Sequence, residues 1–414
     1  MKSAADAVQD FRRRLLRFDA GAEAILPAAE EFPEDPMVQL CAAALHLYGQ
    51  TDENNLAAEG FLDRAVACGG AVDSGPLHTA LRLWLVQRYN EAACTLEEIT
   101  TQDPGDLLAA KFAEFLYYIM GQQFCGPRFH AHMERLAPAN GNDPDYLSMA
   151  SFARELCGDF TGARKLAERS LGLEARNPWA EHTLSHVTIR LGEVEEGERR
   201  LRAFLPQAVT CSRPIHSHTA WHLALFDVER LNPAGALTIF HEHIWGFVPE
   251  MVGEQVDAIA LLWRLEMAGA DVSAEWASLA DFAERHTSES YMPFLTAHHA
   301  YALARAGRSE AGSRLVATAA TRPEPLWREV GTPVVRAAAA FGLNRWQEAA
   351  EILEPVMPRL TTVGGSDAQD DLFRQTYFTA LARSGRKADA RRYWEHFNTG
   401  KKTSPLDGWF LGLA

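Results

Sequence analysis

Apolar residues recur along most of the chain at three- and four-residue spacing, as in LAAKFAEFLYYIMG (108–121), the period of one helix face. Alternating runs of β-branched residues, the mark of strands, are almost absent. Short breaks separate the helical stretches and repeat one chemistry. EDP (34–36), QDPGD (102–106), NDPDY (142–146) and RNPW (176–179) each offer a capping side chain followed by a proline suited to the first helical turn. The pattern predicts an all-α chain of successive helical pairs. Its least regular link is 203–216 (AFLPQAVTCSRPIH), and 359–370 (RLTTVGGSDAQD) reads as a glycine-containing loop rather than helix.

A period runs through these helices. Asp143-Pro144 and Asn177-Pro178 stand 34 residues apart, as do Gly158 and Gly192. Ala163 and Gly197, small residues where two helices would approach closely, keep the same register. A 34-residue helix–turn–helix unit is the tetratricopeptide period. RYNEAACTLEEITTQDP (88–104) and GLNRWQEAAEILEPV (342–356) repeat the turn and second helix. Such a unit cannot bury its apolar face alone, so neighbours stack. The predicted fold is a tetratricopeptide-like helical-repeat superhelix, an α-solenoid with a concave groove. N-terminal repeats occupy 1–175 and C-terminal repeats 176–414, in one continuous solenoid.

Composition narrows the function classes. At 414 residues, 47% hydrophobic and 23% charged, the chain is ordinary globular material but too long for one compact core. Its 40 Lys and Arg against 55 Asp and Glu give a net charge of −15, which disfavours nucleic-acid and membrane partners. That acidic surface, with no capping helices at the ends, allows a homodimer. The opening MKSAADAVQDFRRRLLRF carries charges where an export signal needs an apolar core, and no run nears the ~18 apolar residues of a membrane helix. Cys41, Cys68, Cys94, Cys125, Cys157 and Cys211 are widely separated without a C-x-x-C pair. They read as reduced, mostly buried thiols of a cytoplasmic protein.

The densest candidate chemistry is HSHTAWH (216–222). His218 and His222, four apart, share one helix face with Trp221 beside them, and His216 falls in the turn leading into that helix. EHTLSHV, one repeat earlier, carries His182 and His186 at the same four-residue spacing. Continuing the register reaches Asp257 in EQVDAIALLWRLEMAG and His298 in FLTAHHAYALARAG. First helices line the inner surface of such stacks, so these six side chains would meet in the groove. Imidazoles and a carboxylate suit a transition metal, with His182, His186, His218, His222, Asp257 and His298 as candidate ligands. They equally suit acid–base work near neutral pH or capture of an anionic ligand. Helix–helix hydrogen bonding alone is the structural alternative.

HEHIW (241–245) lacks the second histidine of a metalloprotease motif, so His241 and His243 read as surface or helix-end residues. His299 points off the face of His298. Trp179, Trp245, Trp263, Trp276 and Trp346 read as packing residues. GGSDAQDDLF (364–373) has no lysine after its glycines and is no phosphate loop. Gly364 and Gly365 permit a tight turn, Ser366 or Asp367 caps the next helix, and Asp371 falls in its first turn. Alternatively the polar groups of this loop close over the end of the groove.

Segment 176–390 resembles the tetratricopeptide repeat protein 38 family, which has animal and bacterial members. The resemblance lies in WAEHTLSHV, HTAWHLALF leading to ALTIFHEHI, DAIALLWRLEMAG, TAHHAYAL, REVGTPVVRA and VGGSDAQDDLF, in that order. Matching positions are His182, His186, His218, Trp221, His222, Asp257, His298, Gly364, Gly365, Ser366, Gln369 and Asp371. The chain departs at Asp370, where the family has a basic residue, and at Asp367, where it has Asn. The resemblance implies the repeat fold. It marks Gly365, Ser366, Gln369 and Asp371 as ligand-binding candidates beside the histidines, Trp221 and Asp257, and it names no reaction.

Three uses fit this set. The first is binding of a small molecule or short peptide in the His/Asp-lined groove. The second is an enzyme, a metal-dependent or acid–base hydrolase or oxygenase, using the same groove. The third is a protein-interaction scaffold.

Overall fold

The computed structural model describes residues 3–68, 75–398 and 403–414. These residues are mostly helical, with no β-strand and only an isolated bridge between Asp19 and Cys211. None of the helices is long and apolar enough to cross a membrane. The chain forms two compact units. One comprises Met1–Leu184 with Gln207–Ile215, the other Ser185–Pro206 with His216–Ala414.

Local sequence explains where the helices begin. Asp35 accepts from the Met37 and Val38 amides ahead of Pro36, and Asp143 does the same for Asp145 and Tyr146 ahead of Pro144. Asn177 caps Pro178–Leu191 through the Trp179 and Ala180 amides. QDPGD differs from expectation. Its helix begins at Leu107 and is capped by Asp106, while Asp103 accepts from the Gly105 amide in the preceding turn. The segment holds two aspartates, and the later one, Asp106, accepts from the Leu108 and Ala109 amides.

The turns between helices share one backbone device. Gly158, Gly192, Leu231, Gly269, Gly307, Asn344 and Gly385 all have positive φ, at intervals of 34 to 41 residues. A left-handed residue ends one helix and redirects the chain, and glycine does so without steric cost. Repeat length therefore varies while the turn is kept. The second expected close approach is also present, since a Cβ on Gly197 would overlap the Phe226 ring.

The irregular link at 203–216 holds a short 3-10 turn, Ala208–Thr210, and the helix Arg213–Glu229 starts before His216. His216 is thus a buried first-turn residue of the helix, not part of a turn leading into it. At the other predicted loop, Met357–Thr362 forms a 3-10 turn and Asp367–Arg383 is already helix. Only the span around Gly364 and Gly365 is loop, with the Val363 carbonyl accepting from the Phe294 amide. The cysteines are all unpaired, but Cys94 and Cys157 are exposed, Cys68 is half-buried, and only Cys41, Cys125 and Cys211 are buried. Burial raises the Cys41 thiol to about 12.

In the second unit, Val252–Met267 packs on Pro293–Arg305 and also on Asp367–Arg383. This brings the start of the late helix Asp367–Arg383 to residues more than a hundred positions earlier. Trp263, stacked on Tyr301 at 3.8 Å, lies in the core of the packing.

Candidate functional site: a histidine row between two carboxylates

The second unit assembles His186, His218, His222, Trp221 and Asp257. The ring of His222 lies 4.7 Å from that of His186 and 4.8 Å from that of His218, measured between centroids. His222 is completely buried, and so is the adjoining Trp221. The outer two rings are held from behind. His186 Nδ1–H donates to Asp367 at 2.9 Å, and His218 Nδ1–H donates to Asp257 at 3.0 Å. A carboxylate accepting at Nδ1 fixes the tautomer and places the lone pair on Nε2. The result is a row of three imidazoles with an acid at either end.

Asp367 is gripped twice, because Arg190 Nε also donates to it at 2.6 Å. His186 and Arg190 are four apart and therefore share one helix face. Arg190 Nη1 continues to Asp371 at 3.0 Å, and Arg374 reaches the other oxygen of Asp371 at 3.3 Å. Burial raises the Asp367 carboxyl, but Arg190 and then His186 outweigh it and hold the group well below the usual carboxylate range. Burial lowers His186, against the pull of Asp367, and His218 and Arg190 add to the lowering. The pair is thus a neutral imidazole donating to an ionised carboxylate.

Asp370 behaves oppositely. It is completely buried, neither oxygen has a hydrogen-bond partner, and burial pushes its pKa well above the usual value. Burial thus favours the protonated form of this acid inside the fold.

Arg264 is the other unanticipated group. It is 4% exposed, its Nη1 and Nη2 donate to the Ala260 and Ala368 carbonyls, and its guanidinium lies 5.2 Å from the Trp221 ring. Burial lowers it to about 10, against the raising charges of Asp371, Glu229 and Asp257.

The remaining sequence candidates have further partners of their own. His182 belongs to the first unit, although one helix carries it and His186. There it stacks on Trp179 at 4.2 Å and meets Phe152 edge-on at 4.9 Å. The Trp179 indole N–H donates to Glu114, whose carboxylate pairs with buried Lys111. The ring contacts of His298 are with Trp263, Phe294 and Phe373, and its Nδ1–H donates to the Phe294 carbonyl at 2.7 Å. Burial takes His298 down to about 3.

His299 bonds Gln255 at 2.9 Å, and His241 is exposed. His243 is half-buried and its ring lies 5.6 Å from that of His216. Of the tryptophans, Trp263 and Trp276 are fully buried, and Trp245 keeps its indole N–H on Ser278.

In the glycine loop, Gly364 and Gly365 have φ of 104° and 88°, and a Cβ on Gly364 would press on Met292. Ser366 takes the N-cap position, and Gln369 Oε1 accepts from its amide at 2.9 Å. Asp367, the first helical residue, serves the histidine row instead of acting as the cap. Beside Asp371 lies a cavity of about 240 Å³, whose wall includes Glu229, Gln375, Trp394 and Phe397.

Sequence reasoning singled out the histidines, Trp221 and Asp257 but missed Arg190 and Arg264 as partners. Arg190 stands four after His186 and Arg264 seven after Asp257, both same-face spacings, so helical periodicity was the available signal. A scan of the chain against protein-family models finds no match.

Proposed function

We propose that this is a tetratricopeptide-type helical-repeat protein, akin to the tetratricopeptide repeat protein 38 family, that binds a small molecule at the histidine row. The observation that carries the reading is the succession His186–His222–His218 with Asp367 and Asp257 fixing its ends. Setting three imidazoles side by side, His186 and His222 buried and His218 half-buried, is costly unless they recognise something or satisfy one another. Small-molecule sites combine apolar walls with a few convergent polar groups, and a cavity lies beside Asp371, which Arg190 links to Asp367. A short peptide is the larger version of the same ligand.

The test is native mass spectrometry of untagged protein after incubation with a metabolite extract, with elemental analysis of the same sample. Wild type acquires a discrete mass, or a metal, that folded His222→Ala does not. A wild-type protein that acquires neither sinks the reading.

A second reading, an enzyme, is favoured by the two carboxylate–histidine pairs. A carboxylate at Nδ1 orients an imidazole whose Nε2 can take a proton from substrate or water. A transition metal on the row would use the same pairs as outer support for its ligands.

A further inference from the structure

Arg264 presents an electrostatic imbalance. A guanidinium carries five N–H donors, and Arg264 spends two on backbone carbonyls. No carboxylate of the described residues stands within ion-pair distance of it. Of the three acids whose fields reach it, Asp371 is engaged by Arg190 and Arg374 and Asp257 by His218, and Glu229 acts on it from beyond ion-pair distance. Buried charges are ordinarily paired, because removal from water without a partner costs several kcal/mol.

Beside it lies a second donor without an acceptor. The Trp221 indole N–H is fully buried and makes no hydrogen bond. The guanidinium is over the indole ring, and the His218 ring stacks on that same indole at 5.2 Å and 13°. Helical spacing explains the grouping. His218 and Trp221 are three apart on Arg213–Glu229, and Asp257 and Arg264 are seven apart on Val252–Met267, so each pair shares a face. The two helices thus make two rungs, His218 to Asp257 and Trp221 to Arg264. The first rung is satisfied internally. The second offers donors only.

We propose that Arg264 and the Trp221 indole N–H form a receptor for a small oxyanion, a carboxylate or a phosphate group. This rests on the ligand-binding reading above and identifies the ligand's anionic end, with the histidine row contacting the remainder. A guanidinium fork matches either anion through paired donors, and a ring N–H adds a third bond in a site shielded from water. His298, neutral and close enough for Arg264 to lower it further, places an acceptor nitrogen without a hydrogen bond in the same region. An anion that also carries a hydroxyl or a proton would satisfy both.

The experiment is isothermal titration calorimetry at pH 7 with inorganic phosphate in one arm and succinate in the other. The proteins are wild type, Arg264→Lys, Arg264→Gln, Trp221→Phe and His222→Ala, each checked for helicity by circular dichroism. Saturable one-site binding of either anion, weakened about tenfold or more in Arg264→Lys and Trp221→Phe, supports the proposal, and the responding arm gives the anion. Arg264→Lys keeps the charge and loses the fork, so the test stands even where Arg264→Gln fails to fold. Binding unchanged in the Arg264 and Trp221 variants overturns the proposal, and so does the absence of binding by wild type in both arms. A wild type that takes up a metabolite through His222 yet neither anion removes the oxyanion assignment alone. Anion binding that persists in His222→Ala, with no metabolite acquired by wild type, removes the histidine reading and leaves the Arg264 receptor.

Discussion

His218 and Asp257, thirty-nine positions apart, are joined by an Nδ1–H donated to both carboxylate oxygens, at 3.0 and 3.2 Å. The contact sets which nitrogen of His218 carries the proton, and so what the opposite edge of the ring can do.

Asp257→Asn tests that relationship. The amide keeps the shape and one acceptor but can present its NH2 to Nδ1 and invert the tautomer. The expected outcome is a ligand affinity at least tenfold weaker, with a thermal midpoint within a few degrees of wild type. Binding is read by calorimetry and the midpoint by scanning fluorimetry. An unchanged affinity would mean that the His218 tautomer is irrelevant to the site.

Acid should destabilise the fold in a way traceable to single histidines. His298 is neutral in the folded chain down to about 3, whereas an unfolded histidine takes a proton near 6.5. A depressed folded-state value contributes stability that is fully present above 6.5 and is lost as the pH falls toward the folded value. The slope is about 1.4 kcal/mol per pH unit for each such histidine. Urea denaturation of wild type and His298→Asn between pH 7 and 4.5 reads it directly, since the variant should lose stability less steeply by about that amount. Parallel slopes would show that His298 is protonated in the fold.

Asp370 has the reverse sign. Its folded-state value is raised, so the contribution is present at low pH and is lost as pH rises through the unfolded value near 3.9. At pH 7 the unfolded chain ionises this group more readily than the folded chain does, which favours unfolding. Asp370→Asn is expected to gain about 1–3 kcal/mol at pH 7 and little at pH 4. A loss at pH 7 would mean that the carboxylate is charged and held by a partner.

Most of the helical architecture was legible because helices announce themselves locally. Period, cap and proline lie within a few residues of one another, which is why Asp35, Asp143 and Asn177 cap as expected. The cap of QDPGD moved because two aspartates compete for it and the later one, Asp106, takes the helix start. The histidine row was legible through its four-residue spacing, repeated in adjacent helices. Its anchors were not. Asp367 is 181 positions from His186, and Arg264 meets Ala368 across 104. An acidic residue just after a Gly-Gly-Ser turn looks like any helix cap until a distant helix is brought to it. His298 kept the register and lies in an aromatic shell, because spacing fixes a helix face and not the neighbours that face it.

The clamp of His186 and Arg190 on Asp367 also dictates when the site can come into being. It closes a loop of more than 170 residues, and such closures carry the largest entropy cost on the way to the native state. The helical pairs within the loop form from near neighbours and need no such closure. The row acquires its outer anchor only after the helix beginning at Asp367 has been made and docked. A nascent chain still short of that helix can hold folded helical pairs without a complete row, so on the proposed ligand-binding reading binding would report completion of the unit.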